Sequence, residues 1–135
     1  MSLPYLGTYI TKRRDFNMAK KFTDSLRGYA FSVLKRDNFT CRYCGLNGQE
    51  SFNNWLALSW DHLLPKGYEN RDNPDFIVAA CNFCNTADNR YFDKAIAEGK
   101  SFENLSPEEL VAKRKVVVEK TRNSYKEFWT EQVVK

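Results

Sequence analysis

The apolar positions of the chain fall into short, separated runs whose spacing sets out the elements. After an irregular start over residues 1–22, Leu26, Tyr29, Ala30, Val33 and Leu34 recur at helical intervals behind the capping residues Thr23, Asp24 and Ser25. That pattern predicts a helix ending near Asp37 and Asn38. Leu46 to Asn54 is polar and reads as a loop. Trp55 to Trp60 (WLALSW) reads as a strand that runs straight into Asp61 and His62, and Phe76 to Ala80 (FIVAA) as a second. Between them, Pro65 to Pro74 collects the turn-formers Gly67, Asn70, Asp72 and Asn73. A helical pattern runs from Asn85 through Tyr91, Ala95 and Ile96 and stops near Gly99. Ser106, Pro107 and Glu109 supply an N-cap, a first-position proline and a capping-box glutamate. They open a long helix with Leu110, Val117, Thr121 and Phe128 near its buried side. Strand, loop, strand, helix, with a helix on either side, predicts an α+β fold.

Composition narrows the class. With 135 residues, 42% hydrophobic and 28% charged, the chain is sized and balanced for one soluble domain with helical extensions. No apolar run approaches the roughly 20 residues of a membrane helix, so no membrane partner is expected. Met1 to Lys21 carries basic residues without the apolar stretch of a signal peptide, which makes a cytoplasmic protein the expectation. The net charge of +4 is unevenly placed. From Thr11 to Arg36, eight basic residues (Lys12, Arg13, Arg14, Lys20, Lys21, Arg27, Lys35, Arg36) face only Asp15 and Asp24. A basic arm of this kind favours a polyanionic partner, most often one rich in phosphate.

The four cysteines form two CxxC pairs, Cys41 with Cys44 and Cys81 with Cys84. In a cytosolic chain such pairs read as a four-thiolate zinc site rather than as disulfides. Two intervening residues let one tight turn supply two ligands of a tetrahedron. The zinc would clip together the ends of the insert from Gly45 to Ala80, and its binding would offset the entropy of closing that loop. A redox role would need a thioredoxin-like strand–helix setting that the sequence does not offer. His62 is the single histidine, preceded by Asp61, and it stands where an apolar strand gives way to a polar loop. Neighbouring strand residues point to opposite faces, so a site using both requires the backbone to leave strand geometry there.

Three strings now come together: LKRDNFTCRYCG (Leu34 to Gly45), WDHLLPKG (Trp60 to Gly67) and IVAACNFCN (Ile77 to Asn85). In this order, with a CxxC on each side of the Asp-His pair, they resemble the HNH endonucleases of the ββα-metal, or His-Me finger, fold. The resemblance spans about Leu34 to Arg90. It implies a basic N-terminal arm (1–22), a zinc-stapled nuclease core (23–99) and a C-terminal helical extension of the same domain (100–135). It further implies a DNA endonuclease in which His62 is the general base and Asp61 and Asn85 bind one catalytic divalent metal, Mg²⁺ or Mn²⁺. Carboxylate and amide oxygens are hard donors that suit such an ion. With only two protein ligands, metal binding should be weak without DNA. The zinc of Cys41, Cys44, Cys81 and Cys84 would be structural, since a four-cysteine site is coordinatively closed.

Two positions depart from the family pattern. An Asn usually opens the second strand and braces the histidine loop, and here that position is Phe76. Asn73, Asp75 or main-chain bonds are the candidates for that work. Where many members carry Lys three residues after the metal-binding Asn, this chain has Asp88, with Asn89 and Arg90 beside it as candidates to face metal or phosphate. In the loop, Lys66, Tyr68 and Arg71 are placed to track a nucleic-acid backbone, while Trp55 and Trp60 read as core. The alternatives are a zinc-dependent nucleic-acid-binding module that keeps the scaffold without cleavage, and a zinc-containing protein-interaction domain.

Overall fold

The computed structural model describes residues 30–134, together with the backbone of two short paired strands, β1 (Arg13–Arg14) and β2 (Phe16–Asn17). The chain divides into two compact units, Met1–Ser32 and Val33–Lys135. The expected helix start at Thr23 to Ser25 and most of the basic arm lie outside the described residues. What is described of that helix is α1 (Phe31–Arg36), which buries Val33 and Leu34. Asn38 and Phe39 then take left-handed φ values of 58° and 54°, and the Phe39 N–H bonds back to the Leu34 carbonyl at 2.7 Å. This closes the helix and turns the chain into the first knuckle.

The next element differs from the sequence expectation. Phe52–Ala57 is a helix, α2, and the strand is shifted to Leu58–His62, β3. An apolar WLAL run suits either state, and local capping decides. The Ser51 hydroxyl accepts the Asn54 N–H at 3.0 Å, and the Asn54 side chain donates to the Asn47 carbonyl at 3.0 Å. Trp55 then packs edge-on against Phe39, with ring centroids 6.2 Å apart. The strand therefore contains Asp61 and His62 rather than stopping before them, and the backbone keeps strand geometry at both, so the departure that the sequence expectation requires for a shared site does not occur.

β3 pairs antiparallel with β4 (Ile77–Cys81), with Leu58 opposite Cys81, Asp61 opposite Val78 and His62 opposite Ile77. Every residue of β4 is buried. Its other edge is covered by side chains and backbone from the start of the unit. Asp37 Oδ2 accepts the Ala79 N–H at 2.9 Å, Arg36 Nη2 donates to the Ile77 carbonyl at 2.7 Å, and the Arg42 N–H donates to the Ala79 carbonyl at 2.9 Å. A two-stranded ribbon is marginal alone, and these contacts give β4 partners on both sides. Among the described residues the architecture is thus α+β, with this small two-stranded sheet beside four close cysteines.

The single helix expected from Asn85 to Gly99 is two helices. α3 (Asn82–Thr86) starts three residues earlier, with Cys81 as its N-cap, and α4 is Tyr91–Ala97. Between them Asp88 Oδ1 accepts the Arg90 N–H at 3.2 Å, a local turn that interrupts the ladder. The long helix α5 (Pro107–Phe128) begins as expected with a reciprocal capping box: the Glu109 N–H reaches Ser106 Oγ at 3.1 Å and the Ser106 N–H reaches Glu109 Oε1 at 2.8 Å. Its buried residues are Leu110, Val111, Arg114 and Val118; Val117 and Thr121 are half-buried beside them, whereas Phe128, expected near the buried side, is 54% exposed. One core cluster joins Leu34, Leu58, Val78, Leu110 and Val118. No helix among the described residues is long and apolar enough to cross a membrane.

Candidate metal centre and the Asp61–His62 strand end

The four cysteines converge. Their sulfur atoms all lie within 4.8 Å of one another, and Cys44 Sγ and Cys81 Sγ are 3.7 Å apart. A tetrahedron with metal–sulfur bonds of about 2.3 Å has edges of about 3.8 Å, so the cluster can hold a metal such as zinc. The local sequence explains the convergence. Gly45 takes a φ of +83°, which lets its N–H return to the Cys41 carbonyl at 3.0 Å. The N–H groups of Tyr43 and Cys44 point at Cys41 Sγ, each at 3.4 Å, and the Cys84 N–H points at Cys81 Sγ at 3.5 Å. These donors favour thiolates. Thiol hydrogen bonds from Cys81 and Cys84 drive Cys41 toward its thiolate form, while the bond to Cys41, and then the one to Cys81, pushes Cys84 up. The first knuckle comes from the turn after α1, and the second spans the junction of β4 and α3.

Asp61 and His62 have different surroundings. Asp61 is buried, 8% exposed. Its Oδ2 accepts the Tyr43 phenol at 2.8 Å and lies 3.8 Å from Arg114 Nε. Burial pushes its carboxyl up to about 6, opposed by the Tyr43 hydrogen bond and then by the Arg114 charge. The desolvation of the Tyr43 phenol, with Asp61 beside it, pushes that group up as well. Arg114 donates through Nη2 to the Asn85 carbonyl and through Nη1 to the Asp88 carbonyl, both at 3.4 Å, and stacks 4.6 Å over the Tyr91 ring. Asp61 and Asn85 therefore lie against the same guanidinium.

His62 faces the loop. Its Nε2 lies 3.5 Å from Asp72 Oδ1, an atom also 3.5 Å from Arg71 Nη1. Burial, followed by the Arg71 charge, lowers the imidazole pKa, while Asp72 works against both. The histidine side chain remains 22% exposed. Where the resemblance leads one to expect a bracing Asn, Phe76 packs against the core, and its carbonyl accepts the Leu63 N–H at 2.9 Å, one rung beyond the β3–β4 ladder. Asn73 caps the turn Pro74–Phe76 by accepting the Asp75 N–H at 2.9 Å. Asp75 is exposed.

Of the other residues singled out, Asn89 and Arg90 are exposed, and Asp88 pairs with Lys94 at 3.3 Å. Lys66 is exposed, while the Tyr68 hydroxyl accepts the Phe102 N–H at 3.3 Å and its ring packs on Phe102. Trp55 and Trp60 are half-buried. Tyr43, Asp72 and Arg114 are the residues that sequence reasoning did not assign to the site. Tyr43 sits inside the first CxxC, which was its available signal. Comparison with family models, curated proteins and solved structures returns no match for the chain.

Proposed function

We propose that the chain is a metal-dependent endonuclease of the HNH type, hydrolysing DNA phosphodiester bonds. Its core is read as a ββα-metal unit of β3, β4 and α3, with structural zinc in the cysteine cluster. One observation carries the reading. β3 ends on Asp61 and His62, its partner β4 ends on Cys81, and α3 bears Asn85 one residue past Cys84, with the Asp61 carboxylate and the Asn85 main-chain carbonyl against one guanidinium.

His62 is the candidate general base. Its lowered pKa supplies neutral imidazole at near-neutral pH, and its partial exposure gives water access to the ring. Asp72 touches Nε2 and orients the ring, and Arg71 beside it offers positive charge toward a phosphate. What supports a divalent ion at Asp61 and Asn85 is donor chemistry, a carboxylate and an amide oxygen, on two residues of which the carboxylate of one and the main-chain carbonyl of the other both meet Arg114. When bound there, such an ion stabilises charge on the phosphate and on the leaving 3′ oxygen.

The test is nicking of supercoiled plasmid by zinc-loaded protein with added Mg²⁺ or Mn²⁺, comparing wild type with His62→Ala. Divalent-dependent nicking that disappears in folded His62→Ala is the expected result. A second reading, a zinc-dependent nucleic-acid-binding module, is favoured by the engagement of Asp61 Oδ2 with Tyr43 and Arg114, and by the unbroken strand geometry that gives Asp61 and His62 different surroundings. DNA binding with no cleavage of plasmid, single strands, branched DNA or RNA would select it.

A further inference from the structure

Arg114 is the one buried basic side chain among the described residues, 6% exposed on the core-facing row of α5. Burying a guanidinium is costly unless charge and hydrogen bonds compensate it. Here the compensation is complete in kind: the Asp61 carboxylate, the carbonyls of Asn85 and Asp88, and the face of Tyr91. Those contacts belong to β3, to α3 and the turn after it, and to α4. The guanidinium therefore reaches through the core to the Asp61 carboxylate proposed to hold the divalent ion and to the main-chain carbonyl of Asn85.

We infer that Arg114 is a resident cation of that site, which neutralises Asp61 in the absence of a divalent ion and competes with the ion for its carboxylate. The inference rests on the nuclease reading for the role of Asp61. An ion coordinated by Asp61 would sit within a few Å of the guanidinium, and two like charges so placed repel strongly away from bulk water. Binding of the ion therefore costs the Arg114–Asp61 attraction. A phosphodiester brings a negative charge that offsets the repulsion, so ion and nucleic acid bind cooperatively, and the site stays nearly ion-free until substrate arrives.

The experiment is Mn²⁺ titration of zinc-loaded protein without nucleic acid, followed by the paramagnetic resonance of free Mn²⁺, for wild type, Arg114→Gln and Asp61→Asn. Glutamine keeps a donor for the carbonyls and removes the charge. Arg114→Gln should bind Mn²⁺ at least about tenfold more tightly than wild type, a modest part of what like charges a few Å apart exert at a partly buried site. Asp61→Asn should abolish the site. Equal affinity in wild type and Arg114→Gln, with loss in Asp61→Asn, overturns the inference and leaves Asp61 as a metal holder. Mn²⁺ binding indifferent to Asp61→Asn overturns both. Should Arg114→Gln fail to fold, the wild-type protein decides. The ¹⁵N-labelled arginine Nε–H resonance lost in Arg114→Lys should move as Mg²⁺ saturates the protein, and an unmoved resonance at saturation overturns the inference.

Discussion

The Tyr43 phenol donates a 2.8 Å hydrogen bond to Oδ2 of Asp61. Tyr43 stands between the two thiols of the first knuckle, and Asp61 stands on β3, the antiparallel partner of the strand that runs into the second knuckle. The cysteine cluster and the candidate catalytic carboxylate are therefore mechanically one unit, joined through a buried side chain as well as through the sheet.

Removing that phenol leaves a buried carboxylate with one fewer partner. Tyr43→Phe should lower the stability of zinc-loaded protein by about 2 kcal/mol, in the range for a hydrogen bond to a charged group. Urea unfolding followed by circular dichroism measures it. An unchanged midpoint would show that Asp61 does not depend on the phenol.

The cluster joins the turn after α1 to the start of α3, and Cys81 is at once a sulfur of the cluster, the last residue of β4 and the N-cap of α3. Cys81→Ser, or removal of zinc by a strong chelator, should cost cooperative folding and not only activity. Closed zinc sites in small peptides contribute about 10–16 kcal/mol of apparent binding free energy at neutral pH. Thermal melts alongside colourimetric zinc release would check this. A Cys81→Ser protein melting like wild type without zinc would end the structural role.

The pH response of His62 has a definite sign. Its pKa is lowered in the folded chain, so the unfolded chain binds the proton more readily. The stability it contributes is full above the ordinary histidine value of about 6.5 and is lost as pH falls through the folded value. On the proposed nuclease reading, with His62 as the base, the acid limb of the nicking rate should accordingly lie below the ordinary value. Asp72 opposes the shift, so Asp72→Asn should move the limb to still lower pH. A pH–rate profile of both proteins measures this, and an unmoved limb would remove Asp72 from the site.

Much of this was legible because the deciding residues are local. The Ser106 capping box, the left-handed Gly45 and the two CxxC spacings each act over a few positions. The misplaced strand start had the opposite cause: WLAL satisfies helix and strand periodicity alike, and the contact between Asn54 and Asn47 that favours the helix crosses a loop. The buried face of α5 is only partly legible, because an arginine interrupts its apolar row and Phe128 near its end is exposed. Arg114 is invisible to a hydrophobic pattern, since its burial depends on Asp61, fifty-three positions earlier. Asp72 reaches His62 only through the path of the loop between the strands.

Arg114 also orders the assembly of the protein in time. The cysteines of both knuckles, and the hairpin between them, are synthesised before α5 exists. In a growing chain Asp61 has no Arg114 guanidinium to meet until the last long helix is made and docked. In chain order, Asp61 gains Tyr43 from the residues before it and Arg114 only from the last long helix.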